Sequence, residues 1–80
     1  MPENFRHNRL RELREDADLS QVQLARLLDM SQTGYSKYET GENDIPTSIL
    51  IQLSKIYHTS IDYLLCQTNE KEPYTRTEKE

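Results

Sequence analysis

The sequence predicts an all-α domain of five short helices, and three observations carry that reading. Apolar residues recur at spacings of three and four, with no strand-like alternation over any stretch. Hydrophobic content is 34% with no Trp and only two Gly, a composition that suits packed helices better than a barrel or sandwich. Each apolar segment also opens on a helix-starting residue. At 80 residues the chain holds one domain, near the size at which a hydrophobic core alone becomes marginal. We expect a folded domain over residues 1–66 and a flexible charged tail over 67–80.

The first helix is expected from about Asn4 to Asp16, with Phe5, Arg9–Leu10, Leu13 and Ala17 recurring along one face. The second opens at Ser20, where S-Q-V-Q reads as a capping box with Gln23 reaching back. Its Val22, Leu24, Ala25, Leu27 and Leu28 predict a broad buried face. Ser31 caps the third helix, Tyr35 and Tyr38 stand one turn apart, and Gly41 supplies a left-handed stop. GENDIP is then a turn, with Ile45 as a core plug and Pro46 barring backward continuation of the next helix. The fourth helix starts near Thr47, with Ile49, Leu50, Leu53, Ile56 and Tyr57 on an inward stripe. Ser60 caps a short fifth helix in which Ile61, Leu64 and Leu65 face inward and Asp62 meets the positive end of the dipole. Beyond Cys66, QTNEKEPYTRTEKE has no aliphatic residue and reads as a frayed tail.

The connection between the second and third helices is the informative one. Leu28-Asp29-Met30-Ser31 leaves room for only a few residues between them, the spacing of a helix-turn-helix. Such a corner needs a left-handed residue, and Asp29 is the one available; Asp tolerates that conformation better than most. The tyrosine pair, spaced with Leu24, Leu28 and Met30, is read as core rather than as a base-stacking platform.

Charge and chemistry narrow the function. Net charge is −4, and residues 17–46 alone set Arg26 and Lys37 against Asp18, Asp29, Glu39, Glu42 and Asp44. A basic patch, the usual footprint of a nucleic-acid binder, is missing, although phosphate contacts need local donors rather than a cationic whole. His7 and His58 lie far apart, Cys66 has no partner at metal spacing, and no nucleophile, base and orienter come together, so neither metal nor catalysis is expected. The lone cysteine suits a reduced, cytoplasmic protein, and no run is apolar and long enough to span a bilayer.

The segment LSQVQLARLLDMSQTGYSKYETG resembles the Cro/phage-repressor, or XRE-like, helix-turn-helix, and IPTSILIQLSKIYHTSIDYLL resembles that family's last two helices. The resemblance runs from about Arg9 to Leu65. It implies a lambda-repressor-like globule whose third helix enters the DNA major groove. Position by position, it places Gln32, Thr33, Ser36 and Lys37 at the groove, with Gln21 on the DNA backbone and buttressing the head of helix three. It puts Asn43 on a phosphate, adds Ser31 to the DNA-facing set, and pairs Arg14 with Glu39 in a structural salt bridge. It also implies a double-stranded DNA operator, a homodimer through the region of helix five (Tyr63, Leu64, Leu65), and no cofactor, ligand domain or membrane partner. Family members often carry Gly where this chain has Asp18, Asp29 and His58, and a basic residue where Glu42 or Asp44 stands.

The residue chemistry fits in part. A Gln32 amide can bond adenine at N6 and N7, Lys37 can reach guanine or phosphate, and Thr33 and Ser36 suit a thymine methyl or base edge. The plain alternative for each is a solvated helix surface. Gly34, costly within a helix, is either neutral drift or a device for close approach to DNA. Arg6, Arg9, Arg11 and Arg26 are read as solvated, with Arg9 or Arg11 open to distant phosphate contact. A different class of function is a protein-binding module, antitoxin-like or anti-regulator, whose acidic surface meets a basic partner.

Overall fold

A computed structural model describes residues 8–72 of the chain. Five helices follow in order: α1 Leu10–Asp16, α2 Gln21–Leu27, α3 Gln32–Thr40, α4 Thr47–Tyr57 and α5 Ile61–Leu64. Among the described residues there is no strand, and no helix is long and apolar enough to cross a membrane.

The local start signals act as the sequence predicts. Ser20 Oγ accepts from the Gln23 N–H at 3.0 Å while Gln23 Oε1 accepts from the Ser20 N–H at 2.8 Å, closing the capping box. Ser31 Oγ accepts from the Gly34 N–H and Ser60 Oγ from the Tyr63 N–H, each at 3.0 Å. α1 differs: it begins at Leu10 rather than near Asn4, and Phe5 lies outside the described residues. Asn8 makes a turn just before α1: its side-chain oxygen accepts from the Leu10 N–H, and its amide donates to the Tyr38 carbonyl at 2.8 Å near the end of α3.

The helices close on a core of Leu10, Leu13, Leu24, Ala25, Leu28, Tyr35, Leu53 and Leu64, with Met30, Tyr38 and Ile45 packed against it. α2 buries a narrower face than expected. Leu24, Ala25 and Leu28 share one arc, and Val22 and Leu27, to either side of it, remain 48% and 58% exposed. Ile56, at the rim of the α4 stripe, and Ala17, past the end of α1, are likewise exposed.

Four corners adopt the left-handed conformation without glycine: Asp18, Asp29 and His58, as the resemblance implied, and also Cys66, with φ between 53° and 62°. Each carries the same terminating bond, in which the N–H just past the corner reaches back five residues: Leu19 to the Arg14 carbonyl, Met30 to Ala25, Thr59 to Ser54, and Gln67 to Asp62. Gly41 fills the left-handed position after α3, at φ 85°.

Candidate nucleic-acid interface

α2 and α3 form the helix-turn-helix, turning at Asp29 with Met30 tucked under the corner. The inner side of α3 is fixed by Tyr35, which is fully buried, and by half-buried Tyr38, whose ring meets that of Tyr35 edge to face at 6.4 Å. With that side committed, Gln32, Thr33 and Lys37 are left exposed, and Ser36 is half-buried with its hydroxyl donating back to the Thr33 carbonyl. Ser31 is exposed, its oxygen occupied as the cap. In the loop after α3, Thr40 donates to the Lys37 carbonyl and accepts from the Glu42 N–H, and the Asn43 N–H returns to the Lys37 carbonyl at 3.2 Å. Asn43, Glu42 and Asp44 are all exposed there.

Gly34 has a packing explanation. A Cβ on it would sit 3.1 Å from both the Met30 methyl and the Ser31 hydroxyl, so the missing side chain makes room for the corner's methionine and for the cap.

Behind the exposed row lies a continuous polar network. Arg14 Nε meets Glu39 Oε2 at 2.7 Å, Nη2 approaches Oε1 at 3.3 Å, and Nη1 donates to the Leu19 carbonyl at 2.9 Å. The two side chains are only 12% and 5% exposed, so the pair is desolvated rather than a surface contact. Tyr35 donates its hydroxyl to Glu39 Oε2 at 2.6 Å, and Gln21 donates its amide to Oε1 at 3.0 Å. Gln21 Oε1 in turn accepts from the Gln32 amide at 2.8 Å. The chain of contacts therefore runs from the head of α3 to the end of α1.

The electrostatics follow from these contacts. Burial alone would raise the Glu39 carboxyl, but hydrogen bonds from Arg14, Tyr35 and Gln21 outweigh it and hold the group below the usual carboxylate range. The bond to Glu39 holds the Arg14 guanidinium above its ordinary value against the cost of burial. Burial, then the bond to Glu39, pushes the Tyr35 phenol far up. Burial pushes Tyr57 up to about 12, and its hydroxyl oxygen is buried without a hydrogen-bond partner.

Arg9, expected to be solvated and open to phosphate, is instead a clasp. Its Nε donates to the Tyr63 carbonyl and its Nη2 to the Thr68 carbonyl, both at 3.0 Å, and its guanidinium lies 4.2 Å over the Tyr63 ring. Together with the Thr59 hydroxyl, which donates to the Lys71 carbonyl, it holds the chain beyond α5 against the domain. Residues 73–80, the rest of the expected tail, lie outside the described residues. Arg11 pairs with Glu15 at 3.0 Å on the open surface, and Arg26 is exposed. Of the expected dimer surface, Leu64 belongs to the core, while Tyr63 and Leu65 are half-buried. Among the described residues, no group of three or more His, Cys, Asp or Glu could hold a metal ion.

A helix-turn-helix family profile matches residues 10–64, almost the whole of the described fold. An uncharacterized HTH-type transcriptional regulator of Bacillus subtilis, YobD, is 34% identical over 65 residues, covering 81% of this chain and 58% of the relative. The HTH-type transcriptional regulator ImmR of the same organism is 39% identical over 57 residues, covering 71% of this chain and 45% of its own length. The chain thus spans about half the length of these curated relatives. No solved structure matches it significantly.

Proposed function

Because this chain belongs to the helix-turn-helix family of the XRE-like type, we propose that it is a sequence-specific DNA-binding transcriptional regulator that reads the major groove with α3. The single observation that carries this reading is the outward row of Gln32, Thr33 and Lys37 on a helix whose other side is locked by Tyr35 and Tyr38. The row has the donors and acceptors that base edges require, and rigid support sets its position.

In this reading Ser36 and the Ser31 hydroxyl reach the groove wall, and Gln21 and Asn43 meet phosphates on either side. Arg14 and Glu39 stay behind the surface as the tie between α1 and α3. The protein acts as a repressor in the cytoplasm, on a double-stranded operator, and as a homodimer so that two half-sites multiply the affinity of a small contact. Tyr63 and Leu65 supply the self-contact around α5. Residues 1–66 are the binding unit and 67–80 its charged tail, with 67–72 strapped to it.

The test is retention on a duplex selected from a random pool, measured against salt. Binding that falls steeply as salt rises supports phosphate engagement, and no binding even at low salt rejects the reading. Gln32→Ala is expected to lower affinity by about 1–3 kcal/mol at one base pair and to relax preference there. A second reading, a protein-binding module, draws on the open apolar groove of Leu19, Gln23, Arg26 and exposed Leu27 on the far side of α2. It becomes the better account if no duplex is retained.

A further inference from the structure

We propose that Glu39, through Gln21, sets the direction in which the Gln32 amide faces DNA, making the buried ion pair a determinant of base preference. The inference rests on the assignment of Gln32 as a base reader and adds to it which base the protein favours, and why.

The argument is one of donors and acceptors. An ionised carboxylate only accepts, and it offers about four lone-pair positions. Glu39 receives Arg14 Nε and the Tyr35 hydroxyl on Oε2, and Arg14 Nη2 and the Gln21 amide on Oε1. Every one of these contacts is a donor. Gln21 therefore must turn its NH2 toward Glu39, since the opposite orientation would set its carbonyl oxygen against a carboxylate. Its Oε1 then faces outward, at 2.8 Å from the Gln32 amide. An oxygen acceptor demands a donor, so Gln32 turns its NH2 toward Gln21.

The polarity of a buried charge is thus copied outward through two amides. Gln32 spends one N–H inward and keeps the other beside a free Oε1. A donor next to an acceptor matches adenine, which presents N7 as acceptor and N6–H as donor in the major groove. Guanine presents two acceptors, N7 and O6, and meets the Gln32 oxygen unfavourably. Without the relay the Gln32 amide turns freely and adenine loses that advantage. Arg14 and Glu39 touch no base; they are positioning residues.

The experiment compares wild type with Gln32→Ala, Gln21→Leu and the paired change Arg14→Met with Glu39→Met. Each is titrated against the selected duplex and against its single-base variants. Gln32→Ala first locates the A·T pair at which preference disappears. At that pair Gln21→Leu and the Met pair are expected to shrink the adenine preference by about two- to tenfold, the size of one net hydrogen bond, and to leave preference at other pairs intact. Weakening on all duplexes that leaves the adenine preference at that pair unchanged, as from a lost phosphate contact alone or a general loosening, overturns the relay while the DNA-reading assignment stands. So does full retention of the adenine preference in Gln21→Leu. If Gln32→Ala alters preference at no pair, the base-reader assignment fails and the relay with it. Should the Met pair not fold, the isosteric Glu39→Gln takes its place, and full retention of the adenine preference in it overturns the part assigned to Glu39. In the free protein, the one bonded Gln32 side-chain N–H should exchange more slowly than its free partner, and the difference should vanish in Gln21→Leu; no difference in the wild type counts against the relay.

Discussion

Two arginines bracket α1, and each organises one side of the molecule. Arg14, at the end of the helix, binds a carboxylate and through it the whole α2–α3 side. Arg9, at the other end, binds neutral carbonyls and an aromatic ring, and through them the chain that leaves α5. The difference lies in what remains when the arginine is removed. Beside Arg14 it is a buried charge; beside Arg9 it is part-buried carbonyl oxygens and the exposed carboxylate of Glu12. One tie fixes α3 against α1 through a desolvated ion pair. The other fastens the chain beyond α5 to the domain, and we expect it to open without unfolding the rest.

The largest expected effect breaks the first tie. Arg14→Ala leaves the Glu39 carboxylate, 5% exposed, without its cation, at a cost of about 3–5 kcal/mol in chemical denaturation. That is a large fraction of the stability of a domain this small. Replacing both partners by methionine removes the charge together with its mate and is expected to cost less, the main remaining penalty being the Tyr35 hydroxyl left without its acceptor. A paired change as costly as Arg14→Ala would show that lost packing, rather than an orphaned charge, sets the penalty.

Acid probes the same asymmetry without mutation. The Glu39 carboxyl is held below its ordinary value of 4.5 in the folded protein, so near that pH the unfolded chain binds more protons. Its contribution is fully present above the ordinary value and is lost as pH falls through the depressed one. Stability measured from pH 7 downward should therefore drop below about 4.5, and the drop should shrink in the paired Met variant. The Arg9 clasp is made with carbonyls and a ring, and its one carboxylate contact, Glu12 at 4.0 Å with a side chain 46% exposed, is a solvent-screened pair of little worth, so Arg9→Ala should leave the acid limb in place.

Arg9→Ala is expected to cost about 1–2 kcal/mol, from hydrogen bonds to carbonyls and a cation–π contact on a side chain 17% exposed. Hydrogen exchange should quicken chiefly over residues 66–71, with α2 and α3 little changed. Uniform quickening along the chain would mean that the strap and the core open together.

The two ties also differ in how far the sequence revealed them. Caps at Ser20, Ser31 and Ser60 and the corner at Asp29 are local chemistry, written within a few residues and legible there. The Arg14–Glu39 contact spans 25 residues but pairs opposite charges, and a family resemblance points to it. Arg9 reaches backbone carbonyls more than 50 residues away, and a carbonyl is the same at every position, so nothing in the sequence marks the partner. Val22 and Leu27 mislead for another reason. Periodicity counts apolar residues around α2 but cannot say how wide an arc its neighbours cover. The resemblance sets Gln21 against the head of α3; that its amide joins both Gln32 and Glu39 depends on side-chain geometry that spacing does not specify.

The smallest expected effect concerns the corners beside the two ties. Asp29 opens onto α3 with φ 58°, and Cys66 opens onto the strap with φ 62°. The left-handed conformation costs an ordinary residue about 1–2 kcal/mol, less for Asp, whose short polar side chain can bond locally. Glycine removes that cost but gives up about 0.5–1 kcal/mol to its freer unfolded chain. On strain alone Cys66→Gly should gain more than Asp29→Gly. Burial reverses the order: Asp29 is exposed and loses nothing on truncation, whereas the half-buried Cys66 gives up apolar contact. Asp29→Gly should therefore raise the thermal midpoint by a few degrees, corresponding to up to about 1 kcal/mol, and Cys66→Gly should leave it near wild type. A larger gain at Cys66 would mean that strain dominates there and that the thiol contributes nothing to holding the strap.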